Sequence, residues 1–306
     1  MAITGSGTEA DPYLVHSYDE LKSTINGIQQ YAYIDLVNDI DCNDYGESFE
    51  WSTVSVSGST RRFFLDLKTH TIKNMKLASD SSMFATGRDA GNSLIKNGKI
   101  LNLFITNGSK GFCTHATDTG RITGLTLDNV SMSVNLSGAI NFGAAIACEI
   151  KNSAIYVEGD NFTCNSNTPC LFFSYDTSGY HQSIENSDFY FNIENSKTNV
   201  FCGDQFAEKH IKNCRFRGKC NFSSSESTNK YMMFNGRACM EDCAIDVEST
   251  NMRLESYGYS TGTVANKDIL PTSAFESSAI IQVGSDEIIS GSALRSAGFN
   301  VVNVVA

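Results

Sequence analysis

A short phrase returns seven times along this chain at near-regular spacing, and nothing else in the sequence constrains the fold as strongly. It reads Ile72-Lys73-Asn74, Ile95-Lys96-Asn97, Ile122-Thr123-Gly124, Ile150-Lys151-Asn152, Ile184-Glu185-Asn186, Ile211-Lys212-Asn213 and Met240-Glu241-Asp242. Successive third positions are 23, 27, 28, 34, 27 and 29 residues apart, a mean of 28. Three residues beyond each phrase stands another apolar residue: Leu77, Ile100, Leu127, Ile155, Phe189, Phe216 and Ile245. A period of this size with a strand-like local pattern is the signature of a solenoid. A second column runs beside it, since 8 to 14 residues before each third position there is Phe63 or Phe64, Phe84, Phe112, Phe142, Phe172 or Phe173, Phe201 and Phe234. Repeats built from helix pairs are excluded, because the segments are short and broken by Gly, Ser and Asn.

The fold expected is all-β: a right-handed parallel β-helix whose rungs stack ~4.8 Å apart. Equivalent residues then lie above one another. The two apolar columns fill the interior and the phenylalanines can stack as a ladder. Asn74, Asn97, Asn152, Asn186 and Asn213 mark a bend, where each side-chain amide can bond the next along the axis. Gly124 and Asp242 replace it there, as both tolerate bends. The preceding column, Lys73, Lys96, Thr123, Lys151, Glu185, Lys212 and Glu241, reads as a solvated charge ladder. Cys214 and Cys243 share a column in adjacent rungs, near disulfide distance if stacked.

Composition removes several function classes. The 306 residues carry a net charge of −11, which argues against nucleic acid and against an anionic membrane surface. No apolar run approaches the ~18–20 residues of a membrane span. The ten cysteines form no CxxC and have no paired histidine spacing, so most read as small buried apolar residues; neither a metal site nor a cofactor is expected. The opening MAITGSGTEADPY has neither a basic n-region nor an apolar h-region, so no signal peptide and a reducing cytosol are expected.

A solenoid needs caps at its ends. Ser17-Tyr18-Asp19-Glu20 is a capping box, followed by Leu21, Ile25 and Ile28 at helical spacing, which predicts an amphipathic helix over 18–29. A first strand is expected from Tyr33 to Cys42. The domain reading is an N-terminal cap at 1–32, about eight coils over 33–260, and a C-terminal cap or interaction module at 261–306. The last holds a strand-like run at Ala279-Ile280-Ile281 and a short helix near 292–296.

The opening Gly7-Thr8-Glu9-Ala10-Asp11-Pro12-Tyr13-Leu14-Val15, with Ser17 through Leu21, resembles the start of pectate-lyase-like right-handed β-helix proteins of bacterial surfaces and bacteriophage virions. Leu36-Val37-Asn38-Asp39-Ile40-Asp41-Cys42 resembles their first strand, Trp51-Ser52-Thr53-Val54 their W-x-P-I segment without its proline, and Lys68 to Asn74 their D-G-N-G-H-T-I-x-N coil without its Asn-Gly. The resemblance covers roughly residues 5–77 well and the later coils generically. It implies a virion appendage such as a tail fibre, tailspike or head fibre, assembled in the host cytoplasm. Homo-oligomerisation, as a trimer, is implied too, with other virion proteins and host cell-surface polysaccharide as partners.

Three functions suit such a rod. The first is adhesion to glycan or to neighbouring virion proteins, with Tyr175, Tyr180, Tyr257 and Tyr259 as candidate contacts. The second is polysaccharide cleavage. A hydrolase needs two carboxylates ~5–10 Å apart, for which Asp118 with Asp128, or Asp176 with Asp204, are the candidate pairs. A lyase needs clustered bases, and none is clustered in the coils. The third is a purely structural assembly module, which the sequence does not separate from the first.

Overall fold

The computed structural model describes residues 3–56, 61–86, 93–115, 124–141, 145–164, 171–172, 182–196, 209–222, 238–241, 244–250, 279–281 and 288–290. Strand β1 (Tyr13–Val15) and helix α1 (Tyr18–Gly27) come first. The coils follow as β2 (Tyr31–Leu36), β3 (Ile40–Asp41) and β4 (Val54–Ser55), then β5 (Arg62–Asp66), β6 (Thr71–Lys73) and β7 (Ser82–Thr86). Next come β8 (Ser93–Ile105), β9 (Gly111–His115), β10 (Leu125–Ile140), β11 (Glu149–Lys151) and β12 (Ala154–Cys164). The stack continues with β13 (Gln182–Glu185), β14 (Asp188–Ser196), β15 (Lys209–Lys212), β16 (Arg215–Phe222), β17 (Ala238–Glu241) and β18 (Ala244–Thr250). A separate antiparallel pair, β19 (Ala279–Ile281) and β20 (Ile288–Ser290), lies beyond.

Parallel pairing winds these strands into an all-β solenoid of about five turns. The first side pairs β2, β5, β8, β10, β11, β13, β15 and β17 in that order. The second side is β3, β6, the latter parts of β8 and β10, then β12, β14, β16 and β18. The third is β4, β7 and β9, extended by backbone bonds from Phe112 to Ala145 and from Ile146 to Leu171. All three sides are described for the five turns that end at Phe172; from β13 onward the first two continue.

Two apolar columns form the core. On the first side the register stacks Ile34, Leu65, Ile95, Leu127, Ile150, Ile184 and Ile211. On the second it stacks Ile40, Ile72, Ile100, Met132, Ile155, Phe189 and Phe216. Every one of these side chains is buried. The register moves two of the sequence phrases. Ile72 belongs to the second column, one corner further round than Ile95. In the fourth coil the bend lies at Asn129 (φ 56°). The phrase there is Leu127-Asp128-Asn129 in place of Ile122-Thr123-Gly124. An interior site accepts any large apolar side chain, so Ile alone is too narrow a marker.

The expected aromatic ladder takes another form. Phe63, Phe84 and Phe112 are buried and meet at 5.5 and 5.9 Å, tilted and edge-on, while the register pairs Phe84 with Val54 and Cys113. Parallel stacking occurs between Tyr33 and Phe64 on the first side, at 4.6 Å, and between Phe189 and Phe216 on the second, at 5.1 Å. Phe142, Phe201 and Phe234 lie outside the described residues.

The N-terminal end is closed by several contacts. Thr4 bridges Leu14 in antiparallel fashion along the outer edge of β1. Helix α1 ends two residues before the predicted 29, with Ile28 as its C-cap; Ser17 accepts from the Glu20 amide, and Glu20 accepts from the His16 amide. β1 pairs in parallel with β2, so the stack begins ahead of the helix. The predicted strand Tyr33–Cys42 divides into β2 and β3, and Cys42 opens a 3-10 turn. Tyr18 packs on Trp51 at 4.5 Å, and the Trp51 indole N–H donates to the Met83 carbonyl.

Candidate functional site

In a parallel stack, an outward column can be consumed by its own neighbours or can face solvent. The first corner is of the former kind. Asn129 donates to Asn97 (3.0 Å), Asn186 to Asn152 (3.2 Å) and Asn213 to Asn186 (2.8 Å). Asn97 bonds both oxygens of Asp66, and Asn152 donates to Asp128 at 2.7 Å. These asparagines all have φ between 48° and 58°, the left-handed region where a short polar side chain costs least. Asn74 stands in a different ladder, donating to Asp41 and accepting from Asn102. Behind the bend, Ser153 and Ser187 each donate to the carbonyl two residues back, and the Cys214 thiol does the same to Lys212. Cys214 is a free, buried thiol, and Cys243 lies outside the described residues. Burial pushes the Cys42 thiol up to about 12, so it stays protonated.

The charge column also belongs to this corner. In register it reads Asp66, Lys96, Asp128, Lys151, Glu185, Lys212 and Glu241, alternating in sign at every step. Asp128, one of the acids considered for catalysis, is a member, flanked in register by Lys96 and Lys151. Its partner Asp118, and Asp176, Asp204, Tyr175, Tyr180, Tyr257 and Tyr259, lie outside the described residues.

The second side differs. Alternation along β10, β12 and β14 buries Val134, Val157 and Phe191 and turns Ser133, Tyr156 and Tyr190 outward. Tyr156 and Tyr190 are paired in register and stack with ring centres 5.5 Å apart and planes 13° apart. Tyr190 is 44% exposed. Two residues further along β12 and β14 begins an open groove of about 480 Å³, lined by Asn135, Glu158, Asp160, Asn192, Glu194 and Asn195 among others and by neither tyrosine. Gly159 forms part of its floor: a Cβ there would stand 2.8 Å from the Phe162 ring, so only glycine lets that ring pack beneath. Two groove acids are held by neighbours. Asp160 accepts from Asn195 at 2.9 Å. Glu194 is bonded by Lys219 and Asn221, which hold its carboxyl below the usual range. Among the described residues no three metal-binding side chains converge.

Sequence reasoning misses this face. The signal is present, since Tyr156 and Tyr190 each stand six residues after the first position of a phrase. It becomes a column only when the coils are aligned.

No family model matches the chain, and no curated protein matches it. The fold and the outward columns define a parallel β-solenoid. One solved structure similar to it is a putative immunoglobulin A1 protease from Bacteroides ovatus, with a TM-score of 0.52 and 15% identity over 86% of this chain and 82% of that one. At that identity the likeness concerns the fold alone.

Proposed function

We propose that the chain is an adhesive rod that holds host-surface glycan on the second side of its solenoid. The observation that carries this reading is the stacked, solvent-facing Tyr156–Tyr190 pair, with a groove of amides and carboxylates beginning two residues further along the same strands. Aromatic faces cover the apolar faces of sugar rings, and amides and carboxylates bond their hydroxyls. The setting is a virion appendage of the tail-fibre, tailspike or head-fibre type, supported by the resemblance at residues 5–77. A homotrimer goes with that setting, with the segment from about Thr261 as an interface. Light scattering of the full chain beside a version ending there tests it; equal masses would remove the role of that segment.

Cleavage is the second reading for the same groove. A glycoside hydrolase keeps one carboxyl protonated as general acid. Of the groove acids, Glu194 does not fit that role, since Lys219 and Asn221 hold its carboxyl below the usual range. The test is incubation with purified host-surface polysaccharide, assayed for both retention and chain shortening. Retention without shortening, lost in Tyr190→Ala, is the expected result. Shortening abolished by an Asp160→Asn or Glu158→Gln change would replace adhesion with catalysis. Neither retention nor shortening would leave the assembly role.

A further inference from the structure

The outward column next to the tyrosines begins with an aromatic residue of its own. Phe104 lies on the latter part of β8, where Leu103 and Ile105 are buried and the alternation leaves Phe104 39% exposed. In register it faces Asn135 on β10, which is followed by Glu158 on β12 and Asn192 on β14. Those three residues line the groove of about 480 Å³. Phe104 therefore stands one rung ahead of the groove, in line with it along the solenoid axis. The column has a lysine at either end: Lys76 bridges Phe104, and Lys219 follows Asn192.

A single exposed apolar side chain needs no explanation. The position of Phe104 gives it one. Three steps along the stack separate it from Asn192, a distance of about 14 Å at the spacing of paired strands. Tyr156 and Tyr190 occupy the last two rungs of the same strip, in the neighbouring outward column. A run of amides and carboxylates thus has an aromatic surface at its first rung and a stacked aromatic pair beside its last two. Aromatic faces take the apolar faces of sugar rings, and the polar side chains between them bond hydroxyls.

Resting on the glycan reading above, we propose that the bound glycan is an unbranched chain laid along the solenoid axis, with Phe104 as a second aromatic platform toward the N-terminal rungs. At about one ring per rung, the strip from Phe104 to Asn192 takes roughly four linked sugars. An internal stretch of a polymer fits it, whereas a single terminal sugar reaches one platform and not the other. A path across the axis, from the tyrosines along their strands into the groove, never meets Phe104.

The test uses the full chain and size-graded fragments, from one to about eight sugar units, cut from the polysaccharide that the chain retains and titrated by calorimetry. Affinity should climb with length up to about four units and then level off. Phe104→Ala should weaken the longer fragments about threefold to tenfold and leave disaccharides unchanged, whereas Tyr190→Ala should weaken both. Phe104→Tyr should keep full affinity and Phe104→Leu should not, which separates the ring face from mere bulk and from any loss of folding. Full affinity already for a mono- or disaccharide, or long fragments bound by Phe104→Ala and Phe104→Leu as by the parent, would overturn the axial path and leave adhesion at the tyrosines standing. Retention of no polysaccharide at all would remove the glycan reading itself and this inference with it.

Discussion

The first corner and the second side of the solenoid are built by the same stacking, yet they present different chemistry to water. At the corner each outward group is spoken for by the rung beside it: Asn186 bonds Asn152 and Asn213, and Asp66 holds Asn97 and Lys96. On the second side the column that matters is aromatic. Tyr156 and Tyr190 stack on each other and still leave much of Tyr190 to solvent. In a repeat fold, then, a conspicuous column is not by itself a site. A column that satisfies itself fixes register, and a column with surface left over is available to a partner.

The largest effect should come from the interior beneath both regions, because it is common to them. Phe189 is fully buried and stacks on Phe216. Phe189→Ala should cost about 3–5 kcal/mol of stability, read from urea unfolding. It should weaken glycan retention as well, since Tyr190 is the next residue. A loss of retention with full stability would mean that the face is organised by something other than this core.

Next in size is the corner. Asn186 has φ 51° and sits in the middle of the ladder. Asn186→Ala loses both bonds and forces alanine into the left-handed region, at about 1–3 kcal/mol. Asn186→Gly keeps the bend accessible and should lose about 1 kcal/mol or less. The gap between the two variants measures the backbone contribution, and retention should be unchanged in both. Equal losses would mean that the ladder bonds, and not the bend, hold the corner.

These asparagines also show what is legible in the sequence and what is not. The residue type reports a left-handed bend, so the coils can be counted from residue order alone. It does not report which bend. Asn74 and Asn97 carry the same phrase but close different corners, and Asn102, with φ 55°, shares the corner of Asn74. Leu127-Asp128-Asn129 escapes a search for Ile at a position that only requires bulk. Placing Asp128 in its register is what makes the charge column alternate. The tyrosine face is hidden for a related reason: its two rings come from strands 34 residues apart, and only the register brings them together.

A smaller effect is read by pH. Lys219 and then Asn221 lower the Glu194 carboxyl on the second side. A carboxyl whose pKa is lower in the folded state adds stability above its unfolded pKa and loses it as the pH falls through the folded value. Melting temperature should therefore drop on acidification below the ordinary carboxylate range, and Glu194→Gln should flatten part of that slope. Asn74 lowers Asp41 by the same logic, so Asp41→Asn should flatten another part. A Glu194→Gln profile parallel to the parent's would show that the Lys219 bond contributes nothing in solution.

The smallest effect is expected from the lysines of the charge column, despite their regular alternation. Lys96 lies 3.6 Å from Asp66, and its side chain is 41% exposed. An exposed pair gains little in water and is screened by salt, so Lys96→Ala should cost less than about 1 kcal/mol. Asp66 is a different matter, because it also accepts from Asn97 and from the Lys68 amide while largely buried. Asp66→Ala should therefore cost more than Lys96→Ala, and the difference should persist at high salt, whereas the small Lys96 effect should vanish. If both losses vanish together in salt, the column is held by charge alone and the amide ladder beside it is incidental. If the Asp66 loss alone survives, the alternating charges select register among similar rungs while the hydrogen-bonded corner supplies the strength.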